Sequence, residues 1–299
     1  MIRHGLTMAI SRRRFLGNLA AGAAIARGSV AGLTGAQGTR QLRPLGLQLY
    51  TVRTEMAKDV EGTLAKIAAA GYKEVEFAGY FDKTPQEIRA MLGRHGLSAP
   101  STHVAYATIG EKWAKALDDS AAIGHRFLVI PYLDDETRKQ PDVWKKVADT
   151  LNRAGEATRK AGLQLAYHNH NFEFVPENGT MPFDYLLAQC PANLVQIEMD
   201  LCWTVAAGQD PVAYFKKHPG RITMVHVKDL KRLPASAAVG TGPVIPDITD
   251  VGAGLIDWKR LLGAAADAGV RHYFVEHDQP PAPFESIQAS AKYLTALRY

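Results

Sequence analysis

A chain of 299 residues with 46% hydrophobic and 22% charged residues has the size of one large α/β domain and the composition of an ordinary water-soluble enzyme. Its formal charge of +5 sits in residues 1–40, which hold six Arg (Arg3, Arg12, Arg13, Arg14, Arg27, Arg40) and no Lys, Asp or Glu. The rest carries 29 basic against 30 acidic residues, a net charge of −1. That balance argues against nucleic-acid binding, and two cysteines without a CxxC (Cys190 and Cys202) give neither a disulfide framework nor a thiol mechanism any support.

The basic leader comes first. Ser11-Arg12-Arg13-Arg14-Phe15-Leu16 resembles a twin-arginine export motif, and a short Ala- and Gly-rich apolar run follows it. Small residues at Ser29-Val30-Ala31 or Thr34-Gly35-Ala36 offer a cleavage site, and Met8 offers an alternative start. Residues 1–36 therefore read as a cleavable signal, 37–44 as a polar linker and 45–299 as the mature domain, with no membrane span because the apolar run is too short. This predicts a periplasmic or secreted protein, exported folded and able to load a cofactor beforehand.

From Leu45 onward, strand and helix signals alternate. Strands are expected at Leu45–Tyr50, Lys73–Phe77, Ser98–Val104, Phe127–Pro131, Leu163–Phe174, Leu194–Trp203, Ile222–Leu230 and His272–Asp278. Helices are expected at Val60–Ala70, Pro85–His95 with Gly96 as its stop, Lys112–Ile123, Asp142–Ala161, Phe183–Gln189, Asp210–Lys217, Trp258–Ala268 and Phe284–Leu297. Strands alternating with helices imply parallel pairing and right-handed crossovers, and eight such units in about 250 residues point to a single-domain α/β fold, the (β/α)₈ TIM barrel. No GxGxxG follows the first strand, so a dinucleotide-binding sheet has no support. The Pro- and Gly-rich insertion Leu233–Gly254 is expected either to cover the barrel mouth or to be a solvated loop.

Catalytic groups of such barrels stand at the C-terminal strand ends. There the sequence offers i, i+2 pairs: His168 and His170, Glu198 and Asp200, His226 and Lys228, Glu276 and Asp278. Residues two apart in a strand share a face, while Val225, Val227 and Val275 take the other. Imidazoles and carboxylates on four consecutive strands are expensive to bury without a cation. Mixed His and carboxylate donors suit one divalent ion, Mn²⁺, Zn²⁺, Co²⁺ or Fe²⁺, better than Ca²⁺.

The motifs GLQLYTVR, YHNHNFEF, MDLCW, HVKDL, VGAGLIDW and FVEHD resemble those of the xylose-isomerase-like superfamily of sugar isomerases, epimerases and inosose dehydratases, over residue 45 to the end. The resemblance implies metal ligation by Asp200, His226 and Glu276. The family's strand-five Glu falls on His168, as in the YHHH of inosose dehydratases; His168 is taken as the fourth ligand, with Glu173 and Glu198 as rivals. Trp203 stands where sugar epimerases tend to have a substrate-binding His. The implied chemistry is proton removal beside a sugar carbonyl through a metal-bound enediolate, with His170 as base, Lys228 as acid or oxyanion partner with a lowered pKa, and Glu276 as a further catalytic group. An ion pair with a carboxylate such as Asp278 is the alternative reading of Lys228. Gln48, Tyr50, His103, Trp203 and Asp278 are expected to bind substrate, Glu76 to line the pocket, and Trp203 or Tyr80-Phe81 to supply an aromatic platform. Export and the lack of a phosphate cradle favour a non-phosphorylated sugar or keto-sugar, handled by isomerisation or epimerisation. The alternatives are elimination from a 3-keto-glycoside and a non-catalytic carbohydrate-binding barrel. The implied partner is a small carbohydrate; homo-oligomerisation is left open.

Overall fold

The computed structural model describes residues 39–233 and 246–299. The expected signal segment and the middle of the Leu233–Gly254 insertion lie outside the described residues. Part of the expected linker is bound to the domain. Arg40 and Tyr299 exchange backbone hydrogen bonds, both 3.1 Å, and Leu42 is buried.

Eight parallel strands close into a barrel: β1 (Gly46–Gln48), β2 (Glu74–Phe77), β3 (Ser98–His103), β4 (Phe127–Ile130), β5 (Gln164–His168), β6 (Val195–Asp200), β7 (Ile222–Val227) and, after the two-residue antiparallel pair β8 (Asp229–Leu230) and β9 (Ile248–Thr249), β10 (His272–Val275). Each strand pairs with its sequence neighbour in the barrel, and β10 returns to β1. The (β/α)₈ expectation is met, and among the described residues no helix is long and apolar enough to cross a membrane.

Local chemistry fixes the helix ends. The helix Pro85–His95 starts with Thr84 and Glu87 in a reciprocal capping box and stops at Gly96, which takes φ +61°. Strand six ends earlier than its apolar run suggests. Its last residue, Asp200, accepts the Trp203 N–H at 2.8 Å and starts a helix over Leu201–Ala206, so Cys202 and Trp203 are helical rather than extended. Both cysteines are free and buried, as core residues.

The barrel interior is layered because side chains alternate. Phe127, Val129, Ala166, Met224 and Phe274 form a small apolar cluster of their own. Two residues further along β5, β7 and β10 come His168, His226 and Glu276, so the same inward face passes from apolar to ionisable. Gly46 shares the face of Gln48, and a Cβ there would lie 2.6 Å from the Phe274 ring and 2.8 Å from the Tyr273 carbonyl oxygen. The outward faces, including Val225, Val227 and Val275, pack into the main core beneath the helices.

Beyond β7 the fully buried Asp229 organises the segment Val251–Trp258. Its Oδ1 accepts the Leu230 and Ile256 N–H groups at 2.8 and 3.1 Å; its Oδ2 accepts those of Gly252, Gly254 and the Trp258 indole at 2.9, 3.3 and 2.8 Å. A Cβ on Gly254 would lie 2.2 Å from Asp229 Oδ1, which explains the glycine of the VGAGLIDW motif. Asp229→Asn turns an amide NH₂ towards N–H donors in a buried site. It is expected to destabilise the protein by about 3 kcal/mol, read as a lowered midpoint in chemical denaturation with an unchanged slope.

Candidate active site

His226, fully buried, is the junction of the site. Its Nδ1 is 2.7 Å from Glu276 Oε2; its Nε2 is 2.8 Å from Glu76 Oε2 and 3.2 Å from Glu198 Oε2. Register explains the meeting, because His226 lies beside Asp200 on β6 and Phe274 on β10. His168 approaches from β5, with Nδ1 3.0 Å from Glu198 Oε2 and Nε2 3.7 Å from Asp200 Oδ2. His103 enters from β3, with Nε2 2.9 Å from Glu198 Oε2 and 3.1 Å from Glu76 Oε2. Gln48 donates to Glu76 Oε2 at 2.7 Å and accepts the Tyr50 N–H at 3.0 Å.

Above this layer Lys228 Nζ sits among three carboxylates: Asp200 Oδ2 at 3.0 Å, Glu276 Oε2 at 2.8 Å and Asp278 Oδ1 at 2.8 Å. A cavity of about 470 Å³ opens over it, lined by His103, His168, His170, Lys228, Glu276 and Asp278, with Tyr50 and Tyr132 at its rim and both rings exposed.

All four expected i, i+2 pairs thus reach one place. Tyr50, His103 and Asp278 line the cavity as expected of substrate-binding residues. Gln48 is fully buried, held by Glu76 and the Tyr50 N–H. Trp203 is largely buried and packs against the His170 ring, 5.1 Å between centroids. Tyr80 is tied to His125 Nε2 at 3.1 Å and does not line this cavity. Of the rival ligands, Glu198 belongs to the cluster, whereas Glu173 is turned to Tyr167 Oη (2.8 Å) and the His170 N–H (2.8 Å). Glu76 and His103 were expected at the pocket; Glu76 instead lies fully buried and both join the ionisable layer through His226 and Glu198.

The turn after β5 is built to present His170. Asn169 is buried, donates to Thr204 Oγ1 at 3.2 Å and accepts the Asp200 N–H at 3.1 Å, which ties the end of β5 to that of β6. Glu173 closes the turn through the His170 N–H. The His170 ring then packs among Tyr132, Phe172 and Trp203, and its buried Nδ1 has no hydrogen-bond partner among the described residues.

Electrostatics divide the site in two. Burial opposes charge on His226 and His103, but the surrounding glutamates outweigh it: His226 rises well above the usual imidazole range and His103 to about 9. Burial and the neighbouring cations push His168 well down, and burial with Lys228 pushes His170 down to about 3, so these two rings are neutral. Burial lifts Asp200 to about 6, against the pull of Lys228. Lys228 is driven well up, since Asp200, Asp278 and Glu276 outweigh its burial. The contact with Asp278 is the ion pair expected as the alternative reading of Lys228; the lowering was expected for an ammonium beside a bound divalent cation.

A family model of the xylose isomerase-like TIM barrel matches residues 64–297. The chain belongs to that family. It is 27% identical over 278 residues to an inosose dehydratase of Lacticaseibacillus casei, covering 81% of this chain and 91% of that one. A sugar phosphate isomerase/epimerase from Parabacteroides distasonis superposes with a TM-score of 0.70 at 26% identity, covering 88% of this chain and 98% of that one. The IolI protein, whose structure contains a bound zinc atom, superposes with a TM-score of 0.63 at 15% identity over 83% and 95% of the two chains, a likeness of fold.

Among the described residues of this xylose isomerase-like barrel two overlapping groups could hold a metal ion: Asp200, His226 and Glu276, and His103, His168, Glu198 and His226. Among the described residues the buried oxygens Glu76 Oε1 and Glu198 Oε1 accept no hydrogen bond, and Asp200 Oδ2 has only the Lys228 ammonium at 3.0 Å and His168 Nε2 at 3.7 Å beside it. Such a surplus of buried carboxylate oxygen fits a cation. The first group fits best. His226 would offer Nδ1 while Nε2 remains hydrogen-bonded to Glu76, the carboxylate–imidazole pairing that usually orients a metal-binding histidine. His168 Nε2 faces Asp200 while its Nδ1 is held by Glu198.

Burial lifts the Glu173 carboxyl to about 7, although the Tyr167 hydroxyl pulls it down. The folded state therefore binds its proton more tightly than the unfolded chain, and the stability this gives is lost as pH rises from about 4.5 to 7. Glu173→Gln keeps the size and removes the titration. Measured by urea denaturation at pH 5 and pH 8, the wild type should lose on the order of 2 kcal/mol more than the variant across that interval.

Proposed function

We propose that this xylose isomerase-like barrel is a metal-dependent carbohydrate enzyme that removes the proton next to the carbonyl of a non-phosphorylated sugar or keto-sugar. The observation carrying this reading is the buried carboxylate–imidazole cluster opening into a cavity that a neutral imidazole and a lysine ammonium both line. Asp200, His226 and Glu276, with His168 as fourth ligand, would hold one divalent ion. When bound, that ion supplies a Lewis acid that polarises the substrate carbonyl and stabilises the negative charge developing on its oxygen.

The other roles belong to the chain itself. His170 is neutral, its Nδ1 is free, and three aromatic rings fix its plane, so it is placed to take the proton from carbon. Lys228 is protonated and within 3.0 Å of three carboxylates, so it can donate to substrate and be reprotonated through Asp278 at the cavity wall. Both cationic lining groups, Lys228 and His103, are already paired with carboxylates. A phosphate dianion would meet Glu276 and Asp278 without a free cation, which supports a non-phosphorylated substrate.

Isomerisation, epimerisation and elimination all start from this proton. Two observations support elimination over a two-base epimerisation: the inosose dehydratase relatives, and the asymmetry between a neutral His170 side and a protonated Lys228. Loss of a β-substituent requires one base and one acid, which these two residues provide. A periplasmic or secreted location after removal of residues 1–36 is part of the same proposal.

Two measurements test it. Purified mature protein is expected to hold about one divalent ion per chain by elemental analysis, and Asp200→Asn and His226→Ala to lose it. With keto-sugars and 3-keto-glycosides in D₂O, the wild type should exchange the α-proton. His170→Ala is expected to slow that exchange by about 10²–10⁴-fold with metal content unchanged. Exchange with an unchanged rate in His170→Ala would remove it as the base. An isomer or epimer as the only product would decide against elimination.

A further inference from the structure

A second cavity, of about 600 Å³, lies between the segment that follows β4 and the one that follows β5. Both segments leave the C-terminal ends of their strands, so it opens on the same end of the barrel as the catalytic cavity. Its lining includes Arg138, Trp144, Lys145, Glu177, Asn178 and Tyr185.

A wall of rings connects the two cavities. The Phe172 ring stacks on His170 at 5.8 Å, and Trp144 stacks on Phe172 at 6.4 Å. Exposed Tyr132 packs edge-on against both His170 and Phe172, at 5.2 and 5.6 Å. Arg138 lies across this wall, with its guanidinium 4.1 Å from the Phe172 ring centre and Nη2 3.3 Å from Tyr132 Oη, while its buried Nε has no hydrogen-bond partner among the described residues.

The far side is shaped with the same care. Glu177 accepts the Trp144 indole N–H at 3.0 Å and exchanges backbone hydrogen bonds of 2.9 and 3.0 Å with Thr180. Asp142 and Asn178 both take left-handed backbone angles, φ +54° and +50°, unusual for residues with side chains and concentrated at ligand sites. Aromatic rings beside planar polar groups, with acidic and basic residues mixed and no wide apolar floor, fit the hydroxyls and C–H faces of a sugar.

We propose that this cavity is a second carbohydrate subsite, seating a further sugar ring of a substrate whose reacting ring lies over Lys228 and His170; it rests on the reading of the site given above. The substrate is then a glycoside of at least two rings, joined across Tyr132, rather than a free monosaccharide.

Calorimetric titration of the metal-loaded protein with cellobiose and with glucose tests this. Cellobiose is expected to bind at least about 10-fold more tightly than glucose, one ring's worth of added contact. Tyr185→Ala should bring cellobiose down to the affinity of glucose and leave glucose unchanged. Asn178→Gly removes the amide in a backbone shape that glycine adopts freely, and should cost cellobiose several-fold if Tyr185→Ala fails to fold. Equal affinities in the wild type, or a cellobiose advantage intact in both variants, would overturn the subsite. Because these are binding measurements, a cellobiose advantage without α-proton exchange on any keto-sugar would sink the catalytic reading and leave the subsite standing; exchange without the advantage would do the reverse.

Discussion

Four acidic side chains, Glu76, Glu198, Asp200 and Glu276, converge inside the barrel, each 5% exposed or less, and a fully buried imidazole, His226, contacts three of them. Bringing that much negative charge together away from water is strongly unfavourable unless cations accompany it. The protein supplies three: protonated His226, protonated His103 and Lys228. Unpartnered carboxylate oxygens remain even so. A metal on His226 Nδ1 would replace that ring's second proton, leaving two cations, His103 and Lys228, against four carboxylates, a deficit that one divalent ion matches.

The barrel meets it by geometry more than by any single strong bond. Strand alternation stacks an apolar layer, an ionisable layer and an open mouth along the same inward face. Phe274 and Met224 fill the interior beneath the charges, and Gly46 yields the space that Phe274 needs. Asn169 and Glu173 then convert the end of β5 into a fixed turn that aims His170. Below the candidate ligands, Glu76 and Glu198 hold the far nitrogens of His226 and His168, so the two rings enter the site already oriented.

Most of this frame was legible in the sequence. Strand and helix signals alternated cleanly enough to give the barrel, and the i, i+2 pairs on four strands gave most of the cluster. What escaped was local. The apolar run LCW continues β6 by pattern, yet Asp200 caps a short helix there, a choice made by one side-chain hydrogen bond that periodicity does not register. Asp229 read as part of an HVKDL strand end, but four of its five hydrogen bonds reach a segment more than twenty residues away. Lys228 was expected to lose proton affinity beside a cation. Without that cation, Asp278, Asp200 and Glu276 close around it and raise it, and no spacing in the sequence reveals that all three carboxylates point the same way. Glu76 and His103 were read only as pocket residues, because nothing in the spacing of β2 or β3 shows that they reach Glu198 and His226 across the barrel.

The central claim is that this cluster is built around one cation on the Nδ1 side of His226. Anomalous diffraction from crystals of the mature protein grown with Mn²⁺ tests it most directly. The account predicts a single strong peak in the barrel, bonded to His226 Nδ1, Asp200 and Glu276, with His168 as fourth protein ligand and Lys228 displaced from its present contacts. A peak bonded instead to His226 Nε2, Glu198 and His103, or no peak at saturating Mn²⁺, would contradict it.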